Sequence, residues 1–207
     1  AILQVGHVGE KGFAALGDIL SGKVNPSGRT VDIWASDFTK DPTYQNFGAM
    51  TYTNATFTQR PYGTPSSPAG GDSYYRFFIE YEEDVYLGYR YYETADVMDE
   101  DFVYGTLDKK GAIQTAGAVA YPFGYGLSYT SFEQTIVSYS DSGDEISVTV
   151  RVENTGDVSG KEVVQLYYSA PYTSFDKQYK IEKPAVNLVA FAKTPEIKAG
   201  GKKDVTL

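Results

Sequence analysis

The sequence predicts an α/β segment followed by an all-β sandwich, and three observations predict it. At the N-terminus an apolar run, a helical repeat and an extended stretch follow one another, the order of elements in an α/β layered domain. A long interval rich in Pro, Gly, Ser and Thr comes next. From Phe132 onward apolar and polar residues alternate with period two, the grammar of half-buried strands.

Taken in order, residues 1–5 read as a buried strand because Ala1, Ile2, Leu3 and Val5 form an almost continuous apolar run. The turn Gly6-His7-Val8-Gly9 leads into a helix over residues 10–21, where Phe13, Leu16, Ile19 and Leu20 recur at helical spacing. Gly22 stands where a helix stop belongs, and Asn25-Pro26-Ser27-Gly28 is turn chemistry. Thr30 to Trp34 reads as extended. One such unit cannot bury its own faces, so its partners are expected upstream; the mid-pattern start and finish of the chain are read as those of a piece of something longer.

Residues 36–80 read as a long irregular loop, with Pro61 to Gly71 its most loop-like part and Asn54-Ala55-Thr56 fitting a glycosylation sequon. Residues 81–92 are dense in aromatics, and residues 93–118 read as irregular and partly acidic. Strands are then expected at Ile146–Val152, Lys161–Ser169, Leu188–Phe191 and Asp204–Leu207, with a turn at Asn154-Thr155-Gly156. The boundary falls near residue 131, giving units 1–131 and 132–207, and the sandwich is expected to lack its final strands.

Composition narrows the function classes. Hydrophobic residues at 42% against 22% charged residues allow a packed core, so the chain is not disordered by composition. The net charge of −9 repels phosphate backbones and argues against a nucleic-acid partner. The absence of cysteine excludes disulfides and thiolate metal sites, and no apolar run reaches the ~18 residues that a membrane span needs. Neither observation separates a cytoplasmic from a secreted protein. Tyr, at 19 residues, suits both β-rich packing and half-wet, sugar-facing surfaces.

Several residues invite a chemical role. Glu80, Glu82, Glu83 and Asp84 cluster, as do Asp99, Glu100 and Asp101; both sets read as solvated faces or helix starts, and the second lacks calcium-loop spacing. His7, the single histidine, reads as a turn residue, and Gly6-x-x-Gly9 lacks the rest of a phosphate-binding motif. Ser128 does not sit in a nucleophile elbow. Tyr86, Tyr89, Tyr91 and Tyr92 could stack on sugar rings, but packing at an interface is the preferred reading, with Gly88 permitting close approach and Arg90 pairing to a carboxylate or carbonyl. Pro122-Phe123-Gly124-Tyr125-Gly126 reads as a rigid hinge.

Three segments together resemble family 3 glycoside hydrolases of the β-glucosidase type. Gly9-Glu10-Lys11-Gly12 through Gly22-Lys23-Val24-Asn25-Pro26-Ser27-Gly28-Arg29 is similar to the end of that family's α/β sandwich domain; Glu83 to Tyr92 is similar to its Gly-Tyr-Arg-Tyr-Tyr segment; and Tyr121 to Phe132 is similar to the junction leading into a fibronectin type III-like domain. Ile146 to Asn154, Gly160 to Tyr168 and Pro171-Tyr172 resemble that domain's opening strands. The chain departs from the pattern after Arg29, where Thr30-Val31-Asp32 stands in place of the usual Leu-Pro. Asp37 to Pro42 resembles a bacterial subset in which the barrel can follow these domains rather than precede them.

The resemblance implies a fold: the tail of an α/β sandwich domain followed by a fibronectin type III-like sandwich. It also implies retaining hydrolysis of β-glucosides or related β-glycosides, with an Asp nucleophile on a barrel domain and a Glu acid/base upstream of residue 1. Neither motif occurs in this chain, so no catalytic residue is carried over, no substrate-binding residue is assigned, and no metal or cofactor is expected. The expected partners are an oligosaccharide or glycoside substrate and the remaining domains of the parent enzyme. Two other readings stand beside this one. One is a non-catalytic carbohydrate-binding module using Tyr167, Tyr168, Tyr172 and Tyr179. The other is a structural surface module.

Overall fold

The structure is a computed structural model and describes residues 2–46, 50–51, 77–78, 80–108 and 112–207. Most of its regular elements are strands. In chain order they are α1 (Gly9–Leu20), β1 (Trp34–Ala35), a 3-10 turn (Phe38–Lys40), α2 (Pro42–Asn46), β2 (Met50–Thr51), β3 (Phe77–Phe78), α3 (Tyr89–Met98), β4 (Thr106–Leu107), β5 (Ile113–Thr115), β6 (Val119–Tyr121), β7 (Phe132–Asp141), β8 (Ile146–Asn154), β9 (Val163–Tyr168), α4 (Ser174–Tyr179), β10 (Asn187–Lys193) and β11 (Lys202–Thr206).

The period-two region forms two antiparallel sheets, one ordered β11-β8-β7 and the other β10-β9. Along β8, Val148, Val150 and Val152 point inward and are buried, while Arg151 between them is exposed. Those valines share a core with Val164 of β9 and with Ile197, bordered by Phe132, Leu166, Val205 and Leu207. Register shifts at Ile136/Ser138 in β7 and Leu188/Ala190 in β10 bend the two outer strands.

Asn154 ends β8 and is fully buried. Its Nδ2 donates to the carbonyls of Val158 (2.8 Å) and Ile197 (2.9 Å), and its Oδ1 accepts from Thr130 Oγ1 (2.6 Å) and Gly156 N (3.1 Å). A side chain expected only to make a turn is therefore a polar hub, with each of its amide atoms bonded inside the core.

A second, smaller core joins Ile33, Tyr92 and Val119, with Ala35, Tyr91, Phe102, Tyr104 and Ala118 around it. Here β1 pairs with β6, so the expected extended stretch at 30–34 becomes a strand only at its end, where it meets a partner. The helix expected at 10–21 runs over Gly9–Leu20 and closes with Gly22 N donating to the Ile19 carbonyl at 2.9 Å. None of its residues is buried, and Phe13 and Leu20 are exposed.

Three expectations are corrected. Residues 2–5 are neither strand nor buried, with Ile2 78% exposed; a strand needs a neighbour for its backbone donors and acceptors, and no described residue supplies one. Residues 93–118 are less irregular than expected: α3 runs through Met98, and β4 pairs with β5. The interval 36–80 carries α2 and the β2–β3 pair at its ends. The sequon at Asn54 and the stretch Pro61 to Gly71 lie outside the described residues.

Candidate functional site

The segments carrying the sequence motifs meet in space and interlock. Asn25 Nδ2 donates to the Ser159 carbonyl at 3.0 Å, while its Oδ1 accepts from Ser128 Oγ (3.0 Å) and Tyr129 N (2.9 Å). One Nη of Arg29 donates to both carboxylate oxygens of Glu162, at 2.7 and 2.8 Å, and both side chains are only 13% exposed. Glu162 also accepts from Val163 N at 2.7 Å, which fixes its carboxylate at the start of β9.

Thr30, the residue that departs from the family pattern, holds the junction. Its Oγ1 donates to the Pro122 carbonyl (2.7 Å) and accepts from Tyr125 N (2.9 Å), and its own N donates to the Tyr125 carbonyl at 2.7 Å. Contact is close enough that a Cβ on Gly126 would lie 2.3 Å from the Gly28 carbonyl oxygen. The expected rigid hinge at 122–126 is a bonded joint.

The aromatic segment is the second seam. Tyr89, at the start of α3, packs on Phe123 with centroids 4.8 Å apart and edge-on to Tyr167 at 6.0 Å. Its hydroxyl accepts from Leu188 N at 2.9 Å, and Thr94 Oγ1 accepts from Ala185 N at 2.9 Å. Tyr86 donates to Glu182; burial first, and that carboxylate second, push its hydroxyl up to about 12. Tyr92 is buried and donates to Asp41 Oδ2 at 3.0 Å; burial and then Asp41 raise it as well. Tyr104 donates to Glu93 at 2.8 Å and is raised for the same two reasons, burial the larger. Tyr86, Tyr89 and Tyr92 thus act as packing groups whose polar tips are bonded.

Other residues singled out by sequence fall as follows. Glu83 is buried and accepts from Asn46 Nδ2, so it leaves the solvated face expected of its cluster. Among the described residues the buried Nε of Arg90 has no hydrogen-bond partner, and the guanidinium carbon lies 6.0 Å from the Tyr89 ring centroid. His7 is exposed ahead of α1. Asp99 caps the turn after α3, accepting from Asp101 N at 3.0 Å. Tyr168, Tyr172 and Tyr179 are about half exposed, and Tyr179 packs on Phe175 of α4. Among the described residues no group of three or more His, Asp or Glu is placed to hold a metal, and no helix is long and apolar enough to cross a membrane.

One cavity of about 420 Å3 lies between residues 31–43, the Leu87–Tyr89 corner and Phe123. Its lining includes two carboxylates to which the sequence assigned no chemical role, Asp32 and Asp41. Asp32 Oδ1 accepts from Ile33 N at 2.8 Å. Asp41 Oδ1 accepts from Thr43 N at 3.0 Å and from the Thr43 hydroxyl, which caps α2. A repeated Asp-x-Thr spacing, Asp37 to Thr39 and Asp41 to Thr43, was the available signal, because an Asp side chain commonly bonds the backbone two residues on.

No family model matches the chain. Individual relatives do. The chain is 34% identical over its whole length to β-glucosidase A of Butyrivibrio fibrisolvens and spans 21% of that protein. Among solved structures, 95% of it superposes on 22% of a GH3 β-glucosidase from Bifidobacterium adolescentis, with a TM-score of 0.66 and 28% identity. A β-glucosidase from Kluyveromyces marxianus, solved in complex with glucose, matches 93% of the chain over 17% of its own length, with a TM-score of 0.64 and 30% identity. The chain therefore spans about a fifth of the curated relatives it matches.

Proposed function

The chain belongs with the β-glucosidases of glycoside hydrolase family 3, as one segment of such a protein, and on that premise we propose that the protein hydrolyses β-glucosides or related β-glycosides with retention while this segment serves as scaffold. Retention requires two carboxyl groups about 5–5.5 Å apart across the scissile bond, one attacking the anomeric carbon and one moving the proton. Neither of the motifs that the family resemblance implies for that pair occurs in this chain, which supports placing the reacting pair on other parts of the protein.

Residues 132–207 are read as a fibronectin type III-like sandwich and residues 1–131 as the end of an α/β sandwich domain. Two antiparallel sheets around one valine-rich core support the first assignment. The outward apolar side chains of α1, Phe13 and Leu20, support the second, since they have surface for further elements to cover. The observation that carries the scaffold reading is the seam itself: Asn25, Arg29 and Thr30 lock the N-terminal segment onto the junction and onto Glu162. A rigid joint of this kind holds two layers in fixed register.

The test is hydrolysis of an aryl β-glucoside, with the anomer of the first-formed sugar read by NMR. The full-length protein is expected to release β-glucose, and the 207-residue chain alone to be inactive. Release of α-glucose, or equal turnover by the isolated chain, would refute the reading.

A further inference from the structure

The cavity bounded by Asp32, Phe38, Asp41, Tyr89 and Phe123 has the chemistry of a sugar pocket, and the geometry points to a bound pyranose ring there. The inference rests on the proposed β-glycosidase function for the choice of sugar. At about 420 Å3 the cavity falls within the range of about 300–1,000 Å3 common to small-molecule sites. Its walls divide by chemistry. Phe123 and Tyr89 form one packed apolar wall, held by ring contact at 4.8 Å and by the bond from Leu188 N to the Tyr89 hydroxyl. Phe38 stands at the rim, 66% exposed, and is braced edge-on by Tyr44 at 5.3 Å.

A pyranose in its all-equatorial form presents apolar C–H faces and a belt of hydroxyl donors. Aromatic walls suit the faces, and carboxylates suit the belt because an ionised carboxylate only accepts. Both carboxylates are held by local bonds before any ligand arrives: Asp32 by Ile33 N, and Asp41 by Thr43 N and the Tyr92 hydroxyl. Asp41 Oδ1 already accepts twice from Thr43, but Asp41 Oδ2 and the Asp32 oxygens retain lone pairs beyond these bonds, so the groups are oriented without being exhausted. An acidic pocket on a chain of net charge −9 disfavours phosphosugars and other anions, and among the remaining ligands the proposed β-glycosidase function selects neutral glycosides.

The experiment uses the full-length protein treated with a fluorinated glucoside that traps the glycosyl-enzyme, followed by calorimetric titration with methyl β-glucoside and with cellobiose. The label fills the glycone half of the reacting centre, and of the remaining heat only the part that depends on Asp32 and Phe38 is assigned to this pocket. The expected result is saturable millimolar binding that falls at least about tenfold in Asp32→Asn and in Phe38→Ala, the loss of one charge-assisted hydrogen bond or one ring face. Asp32→Asn retains an oxygen to accept from Ile33 N, so a purely structural role would leave sugar binding unchanged. Absence of binding to labelled protein, or binding that both variants retain, would overturn the pocket. If no label forms, the β-glucosidase reading fails instead. The same titration on unlabelled protein then decides the pocket, by whether its heat depends on Asp32 and Phe38.

Discussion

Replacing Arg29 with Ala should loosen the joint between the two parts of the chain, and the size of the effect follows from the burial of its partner. Glu162 is 13% exposed, and Arg29 is the only cation paired with it among the described residues. Removing one member of a buried pair strands the other charge, a loss of about 3 kcal/mol at the low end of the range for such pairs. For a chain of this size that corresponds to a fall of about 6–12 °C in the melting midpoint. Two probes read the two sides of the joint. Trp34, the single tryptophan, lies in the N-terminal segment edge-on to Tyr121 at 6.2 Å, and its fluorescence reports that segment. Far-UV circular dichroism is dominated by the two sheets.

In the wild type both signals should melt together. In Arg29→Ala the fluorescence transition should come first and at lower temperature, with Arg29→Lys in between, because an ammonium keeps a charge for Glu162 but loses the bond from the other Nη to the Gly28 carbonyl. Arg151 and Asp204 form the internal control: their bonds are also 2.8 Å long, but the side chains are 46% and 44% exposed. Solvent screens such a pair, and Arg151→Ala should barely move either signal. Coincident and unshifted transitions in Arg29→Ala, or equal effects from Arg151→Ala, would refute the account of the joint.

Further outcomes follow from single side chains. Asn154→Ala should destabilise the two-sheet region by about 3 kcal/mol by leaving several buried groups unpaired, and Asn154→Asp should be worse because it faces two carbonyls with acceptors only; urea midpoints check both. Gly126→Ala should cost about 1–3 kcal/mol or more, since its Cβ would lie 2.3 Å from a backbone oxygen that cannot swing away. Tyr86 is raised to about 12 in the folded chain, so the folded state holds that proton more tightly than the unfolded one. Its contribution is complete below pH ~10 and is lost as pH rises toward 12; Tyr86→Phe should flatten that part of the alkaline stability curve, with tyrosinate absorbance as the direct readout. Asp176 is held down to about 2, first by Lys183 and then by Thr173, so its contribution is present above the ordinary carboxylate range and is lost as pH falls toward 2. Acid unfolding of Lys183→Met should therefore begin at higher pH than in the wild type.

The β8 valines were legible in the sequence because a strand packed on one face writes its burial as strict alternation, and the structure buries Val148, Val150 and Val152 as that pattern requires. The helix at Gly9–Leu20 was legible from its repeat and its terminal glycine. Residues 2–5 misled because an apolar run reports a wish for burial but not the presence of a partner. α4 was missed although Thr173 and Asp176 form a complete capping box, since six residues are too few to show a helical repeat. The seam was only half legible. The Asn-Pro-Ser-Gly-Arg turn and the Pro-Phe-Gly-Tyr-Gly junction stood out as local turn chemistry, but their contact spans 103 residues between Asn25 and Ser128 and leaves no periodic trace. Glu162 looked like one more surface acid until Arg29 was placed beside it. The Asp32–Asp41 cavity was illegible for the same reason: it exists only where the 31–43 segment folds back against Tyr89 and Phe123.

The most direct test of the scaffold assignment is to trap the glycosyl-enzyme of the full-length protein with the fluorinated glucoside, digest it, and locate the modified carboxylate by mass spectrometry. The account predicts a labelled peptide from outside these 207 residues. A glycosyl ester on any Asp or Glu between Ile2 and Leu207 would contradict it.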